Sequence, residues 1–144
     1  MLVPININIS KCIVVDDEAL AREIIETHIS RINTFELAGS CKNAIEAFKI
    51  INTQKIDLIF LDINMPEISG LSFAKSINKN IKVIFTTAYR EYALDGFDLQ
   101  AVDYLLKPIE FDRFLKSTQK ALKLFKINQK QIPDLDSNTN RIIS

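Results

Sequence analysis

Histidine occurs once, cysteine twice and glycine three times in these 144 residues. A lone His28 leaves no Cys/His spacing from which a zinc centre is built. Cys12 is expected to open the first strand and Cys41 to close the second. Those positions lie at opposite ends of neighbouring parallel strands, beyond the roughly 4.4–6.8 Å between Cα atoms that a disulfide spans. Three glycines, with no Gly/Ser/Thr-rich loop after the first strand, leave a flavin phosphate without a cradle. Charge of one sign is missing too. Eighteen basic residues balance eighteen acidic ones, which argues against nucleic-acid binding through a basic face. No apolar run approaches a membrane span. Residues 1–10 have neither a basic start nor a long apolar stretch, so they do not read as a secretory signal. The expectation is a cytoplasmic chain that does not enter a membrane. Its length suits one domain, and 47% apolar residues suffice for a packed core.

What is present is an alternation of apolar runs and amphipathic stretches. Residues 11–15 are continuous apolar sequence after Lys11 and read as a strand buried on both faces. Residues 18–31 place Leu20, Ile24, Ile25, His28 and Ile32 at helical spacing. A second strand is expected over 35–40. Asn43 then caps a helix over 44–53, whose stripe is Ala44, Ile45, Ala47, Phe48 and Ile51. Strand 58–61 follows, then a loop punctuated by Pro66 and Gly70, and a short helix carrying Leu71, Phe73, Ala74 and Ile77. A strand over 81–86, a short helix over 91–97, a strand over 101–106 and an amphipathic helix over 111–125 complete the series. Five βα units pair in parallel through right-handed crossovers, which sets helices on both sheet faces. From Lys126 the periodicity fades into Gln, Asn, Asp and Ser.

Four polar residues stand where apolar strands run out: Asp17, Asp62, Thr87 and Lys107. In open parallel sheets, ligands and chemistry collect outside the carboxyl ends of the strands. Taken singly, each has an ordinary explanation. An acid after a strand favours the start of the next helix, and a strand-terminal lysine is commonly solvated. Together they describe one site. Two carboxylates about 4 Å apart repel by about 4 kcal/mol at an effective dielectric near 20. Either one takes a proton or a cation sits between them. With oxygen ligands alone, that cation is Mg²⁺ or Mn²⁺. Lys107 adds a fixed positive charge and Thr87 a hydroxyl donor. Thr86 competes with Thr87, but its side chain should project to the opposite side of the strand. A carboxylate among such groups is suited to accept a phosphoryl group as an acyl phosphate.

At Val14-Val15-Asp16-Asp17-Glu18, Leu61-Asp62-Ile63-Asn64-Met65-Pro66, Thr87-Ala88 and Lys107-Pro108, the chain resembles the response-regulator receiver domain of two-component signalling. The likeness runs from about Lys11 to Phe125. It implies a flavodoxin-like, doubly wound five-stranded parallel sheet of order 2-1-3-4-5. It makes Asp62 the phosphoacceptor and Asp17 a Mg²⁺ ligand, with Asp16 assisting and Asn64 offering its backbone carbonyl. Thr87 would bind the phosphoryl group, Lys107 would pair with it, and the Lys107-Pro108 bond would be cis. Thr87 and Tyr104 would form a switch whose output face is the fourth helix, fifth strand and fifth helix, a surface suited to a homodimer. The partner implied is a sensor histidine kinase. Such a module is not an enzyme in the ordinary sense, although it assists its own phosphorylation and dephosphorylation. His28, among Ile24, Ile25 and Ile32, reads as a boundary core residue and not as a phosphodonor.

The stretch from Ala88 to Phe97, continuing through Ala101–Pro108, is similar to receivers that precede a LytTR-type DNA-binding domain. The chain is therefore divided into a leader (1–10), a receiver (11–125) and a linker or disordered tail (126–144). That tail is expected to lead to an effector domain, with DNA reached only through it. The competing readings are a stand-alone phosphorelay receiver, a haloacid-dehalogenase-type Mg²⁺-dependent phosphatase and a flavodoxin-like cofactor binder. The phosphatase wants a second acid two residues after its nucleophile, where this chain has Asn64.

Overall fold

Uninterrupted apolar sequence at Cys12–Val15 and Leu58–Leu61 needs cover on both faces, and this need sets the layering. The computed structural model describes residues 9–94 and 101–137. Its elements are β1 (Ser10–Val15), α1 (Ala19–Ser30), β2 (Phe35–Cys41), α2 (Ala44–Thr53), β3 (Leu58–Asp62), α3 (Gly70–Ser76), β4 (Lys82–Thr87), α4 (Arg90–Leu94), β5 (Asp103–Leu106) and α5 (Phe111–Ser137). The strands form one parallel sheet of order β2-β1-β3-β4-β5. This is the flavodoxin-like arrangement that the resemblance implied.

Strand alternation divides β1 and β3 between two cores. Ile13, Val15, Ile59 and Leu61 face a layer completed by Ala44 and Ala47 of α2 and Phe73 of α3, with Tyr92 of α4 packed against it. Cys12, Val14, Leu58 and Phe60 face the other layer, completed by Ile25 and Ile29 of α1 and by Phe114 and Ala121 of α5. Phe60 stacks on Phe114 with ring centroids 5.0 Å apart. Each such buried ring contributes about 2–3 kcal/mol by removal from water. Cys12 and Cys41 fall on opposite layers and opposite strand ends, and both are free thiols. Burial pushes the Cys12 thiol up to about 12 and Cys41 up to about 11. Both stay protonated and unreactive at neutral pH.

Local signals set the helix starts. The Asn43 side chain accepts from the Glu46 N–H at 2.9 Å, and the Glu46 carboxylate accepts from the Lys42 N–H at 2.9 Å. Two otherwise orphaned donors at the start of α2 are thereby satisfied. Ser69 caps α3 in the same way through the Ser72 N–H.

Several boundaries differ from the sequence expectation. Strand β1 begins at Ser10, inside the expected leader, because the Ser10 N–H donates to the Thr34 carbonyl and Ser10 lies in register with Phe35. Strand β4 extends to Thr87, whose carbonyl accepts from the Lys107 N–H at 2.7 Å. Strand β5 starts at Asp103 and helix α4 spans Arg90–Leu94; residues 95–97 of the expected helix lie outside the described residues. The largest difference is α5, expected over 111–125, which continues to Ser137. Past Phe125 the sequence carries Lys126, Gln129, Lys130 and Gln131, good helix formers that propagate an established helix.

Candidate phosphoryl site

The carboxyl edge of the sheet collects the predicted residues because β1 and β3 are neighbours in register, Val15 opposite Leu61. Asp16 continues β1 beyond its last strand residue, its N–H donating to the Cys41 carbonyl at 3.0 Å. Its side chain is fully buried. Asp16 Oδ1 accepts from the Glu18 N–H at 2.9 Å, which turns the chain into α1, and Arg22 Nη1 donates to the Asp16 carbonyl at 2.7 Å. Asp62 ends β3, also buried, and Oδ1 accepts from the Asn64 N–H at 3.2 Å.

Backbone hydrogen bonds also hold the loop after Asp62 close to it. The Ile63 N–H donates to the Thr86 carbonyl, and the Gly70 N–H donates to the Ile63 carbonyl at 2.8 Å. A Cβ on Gly70 would lie 2.1 Å from the Asp62 carbonyl oxygen. Only glycine permits that approach. Glu67 takes a left-handed backbone at φ 73° within this loop.

Lys107 arrives from the end of β5, and the Lys107-Pro108 bond is cis. Its Nζ stands 2.8 Å from Asp16 Oδ2, 3.3 Å from Glu18 Oε1 and 3.5 Å from Asp62 Oδ2. Burial works against the charge on Lys107, but the Asp16 hydrogen bond and the fields of Asp62 and Asp16 outweigh it and raise its proton affinity. The Asp62 carboxyl is also pushed up, to about 6. Burial is the main cause, followed by Asp16 and then weakly Asp17, against the opposing pull of Lys107 and the Asn64 N–H. One ammonium does not neutralise the acids around it.

Carboxylate oxygens of Asp16, Asp17 and Asp62 lie within 4.8 Å of one another, with Asp17 exposed and the others buried. A hard divalent cation fits this donor set, since the cluster is all oxygen and carries surplus negative charge that Asp62 relieves otherwise only by holding a proton. Thr87 is buried. Its hydroxyl accepts from the Tyr89 N–H at 3.0 Å and donates weakly to Asn64 Oδ1 at 3.5 Å. Behind it Tyr104, half-buried on β5, stacks on Phe85 with centroids 5.3 Å apart. Thr86 is buried with its hydroxyl unpartnered.

The site therefore assembles Asp16, Asp17, Asp62, Asn64, Thr87 and Lys107 at one edge, and places Tyr104 one strand beyond Thr87. Sequence reasoning missed three participants. Glu18 shares Lys107, Arg22 fastens the Asp16 backbone, and Gly70 makes room beside Asp62. Glu18 was legible only as part of the acidic run, and Gly70 only as punctuation. An apolar groove of about 300 Å³, bounded by Leu20, Ala21, Ile24, Pro108 and Ile109, opens beside Lys107.

The response regulator receiver domain family matches residues 12–119. An uncharacterized response regulatory protein of Shewanella oneidensis is 43% identical over 114 residues, covering 78% of this chain and 48% of the relative. Transcriptional regulatory protein BtsR of Escherichia coli K12 is 39% identical over 109 residues, covering 74% of this chain and 46% of the relative. The chain spans about half the length of the curated relatives it matches. Among solved structures, the response regulatory domain of mrkE from Klebsiella pneumoniae superposes with a TM-score of 0.71 at 33% identity, covering 81% of this chain and 98% of that one. Response regulator TrrA from Thermotoga maritima, in complex with Mg²⁺-BeF, gives 0.68 at 34% identity, covering 78% and 99%. On the family match and these relatives, the chain belongs to the response regulator receiver domain family.

Proposed function

We propose that Asp62 accepts a phosphoryl group from a phosphohistidine of a partner sensor histidine kinase. The observation that carries this reading is a buried strand-end carboxylate held between Lys107 and the Asn64 N–H and flanked by two further acids. A carboxylate oxygen of Asp62 forms the new O–P bond as the P–N bond breaks, and the departing imidazole takes up a proton. Asp16, Asp17 and Asp62, with the Asn64 backbone carbonyl, would hold Mg²⁺. When bound, the ion supplies positive charge against the negative oxygens of the transferring group. Lys107 supplies a second positive charge from its place between Asp16 and Asp62. The Thr87 hydroxyl donates to a phosphoryl oxygen once it turns from Asn64.

That turn links the site to the rest of the molecule. Movement of Thr87 toward the phosphoryl group vacates space beside β5, and Tyr104 enters it. The equilibrium is two-state, biased by the phosphoryl contacts. Its output surface is α4, β5 and α5, through which two copies associate. In this reading the chain is the cytoplasmic input module of a regulator of the LytTR type, residues 126–144 lead toward an effector domain, and DNA is engaged only there.

Incubation with acetyl phosphate and Mg²⁺ tests the core of the proposal. One equivalent of acid-labile label per chain is expected, and none on Asp62→Asn. Label that survives this substitution removes Asp62 from its role. Turnover of many equivalents supports the phosphatase reading instead.

A further inference from the structure

We propose that His28 is a positioning residue for Lys107, fixing the turn that carries the lysine to helix α1. The inference rests on the reading of Lys107 as the cation of the phosphoryl site. His28 Nε2 lies 2.8 Å from the Ile109 carbonyl oxygen, a contact across 81 residues of sequence. A carbonyl only accepts, so Nε2 donates, and Nδ1 is buried without a hydrogen-bond partner. One buried polar atom left unsatisfied is a cost that ordinary core packing does not explain. An apolar residue would fill the same place without it.

The turn from β5 to α5 comprises residues 107–110, and its backbone is fastened on two sides. On the β4 side the Lys107 N–H donates to the Thr87 carbonyl at 2.7 Å. On the α1 side the Ile109 carbonyl accepts from His28. Lys107 and Pro108 lie between the two anchors. The imidazole is itself held in place. Its centroid lies 5.5 Å from Phe111 and 5.2 Å from Phe114, and the Arg31 guanidinium covers the Phe111 ring at 3.7 Å. A long flexible side chain such as lysine delivers its ammonium to 2.8 Å from Asp16 and 3.5 Å from Asp62 only if its backbone is placed. A displacement near 1 Å weakens both contacts and the alignment that phosphoryl transfer needs.

Three chains decide the matter: wild type, His28→Phe, which keeps the ring packing without the donor, and His28→Gln, whose amide donates from near the Nε2 position. Two readings are taken. The first is the initial rate of labelling by acetyl phosphate and Mg²⁺. The second, independent of phosphorylation, is the ¹⁵N NMR signal of the Lys107 ammonium, which is sharp when the group is held in an ion pair. Labelling of His28→Phe is expected to slow about five- to tenfold, the effect of one hydrogen bond, with loss of the sharp Lys107 signal. His28→Gln is expected to restore both.

A purely structural histidine would lower melting temperature in both variants and leave the Lys107 signal intact. That pattern overturns the proposal, as does wild-type labelling by a folded His28→Phe. Should His28→Phe not fold, the wild-type ring tautomer decides: a proton found on Nδ1 instead of Nε2 overturns it. If wild type takes no label, the reading of Asp62 fails separately, and the ammonium signal still judges His28.

Discussion

At Asp62 and Asp103, the same residue type is driven in opposite directions by its surroundings. Burial and the field of Asp16 oppose ionisation of Asp62. Replacing it with Asn removes a charge that the folded state tolerates poorly. Asp62→Asn is expected to be more stable than wild type by on the order of 1–3 kcal/mol at neutral pH in the presence of a chelator. Urea unfolding of both proteins checks this, and equal or lower stability contradicts it. At Asp103 burial also raises the proton affinity, but hydrogen bonds from Arg113 and Ser117 and the Tyr104 N–H outweigh it and hold the carboxyl well below the usual range. Arg113 Nη1 and Nη2 donate at 2.8 and 3.0 Å, Ser117 at 2.6 Å, and Lys120 Nζ stands 3.2 Å away. A folded-state value depressed below the unfolded one (about 3.9) contributes stability that is complete above that value. It is lost as pH falls toward the folded value. Asp103→Asn is therefore expected to lose about 1–3 kcal/mol at pH 7, discounted because Arg113 and Lys120 are partly solvated. Its deficit relative to wild type should narrow as urea titrations move to about pH 3.

Between elements, the two glycines in contact with the core make different demands. A Cβ on Gly39 in β2 would meet Ile50 Cδ1 of α2 at 2.3 Å, and its next nearest atoms lie at 3.6 Å or more. The end of an isoleucine can swing away. At Gly70 the obstacle is the Asp62 carbonyl oxygen at 2.1 Å, with the Asp62 carbonyl carbon and Ile63 Cα behind it. Backbone at a strand end does not yield so readily. Gly70→Ala is expected to destabilise by more than about 2 kcal/mol and to slow labelling of Asp62, whereas Gly39→Ala should cost under about 1.5 kcal/mol. Thermal melts of the two variants rank them, and the reverse order would show that the α3 start is softer than its packing implies. Helix α1 is held by its buried stripe and by Arg22 on Asp16.

At the scale of the molecule, the acids proposed to hold a cation come from the ends of β1 and β3. Residues 16, 17 and 62 meet only when the sheet is formed, so an ion bound there stabilises the native state and not the unfolded chain. At a Mg²⁺ concentration ten times the dissociation constant the gain is about 1.4 kcal/mol, a rise of a few degrees in melting temperature for a domain of this size. Asp17 is exposed, so Asp17→Asn should fold normally and lose most of that gain. Melts across a MgCl₂ titration measure it, and an undiminished gain in the variant would remove Asp17 from the metal site.

Much of this was legible in one dimension because periodicity and strand-end chemistry are local. Continuous apolar runs at 12–15 and 58–61 determined strands covered on both faces, and the alternation with helical stripes determined a parallel sheet. The polar residues at the ends of four apolar strands marked Asp17, Asp62, Thr87 and Lys107 from sequence alone. Other features depend on where separate segments pass in space, which no local pattern encodes. Register and loop path decided that Lys107 stands closer to Asp16 than to Asp62 and that Glu18 shares it. They also decided that Gly70 presses on the Asp62 carbonyl and that His28 reaches Ile109. The end of α5 escaped for a different reason: good helix formers carry a helix past the residues that its apolar stripe marks.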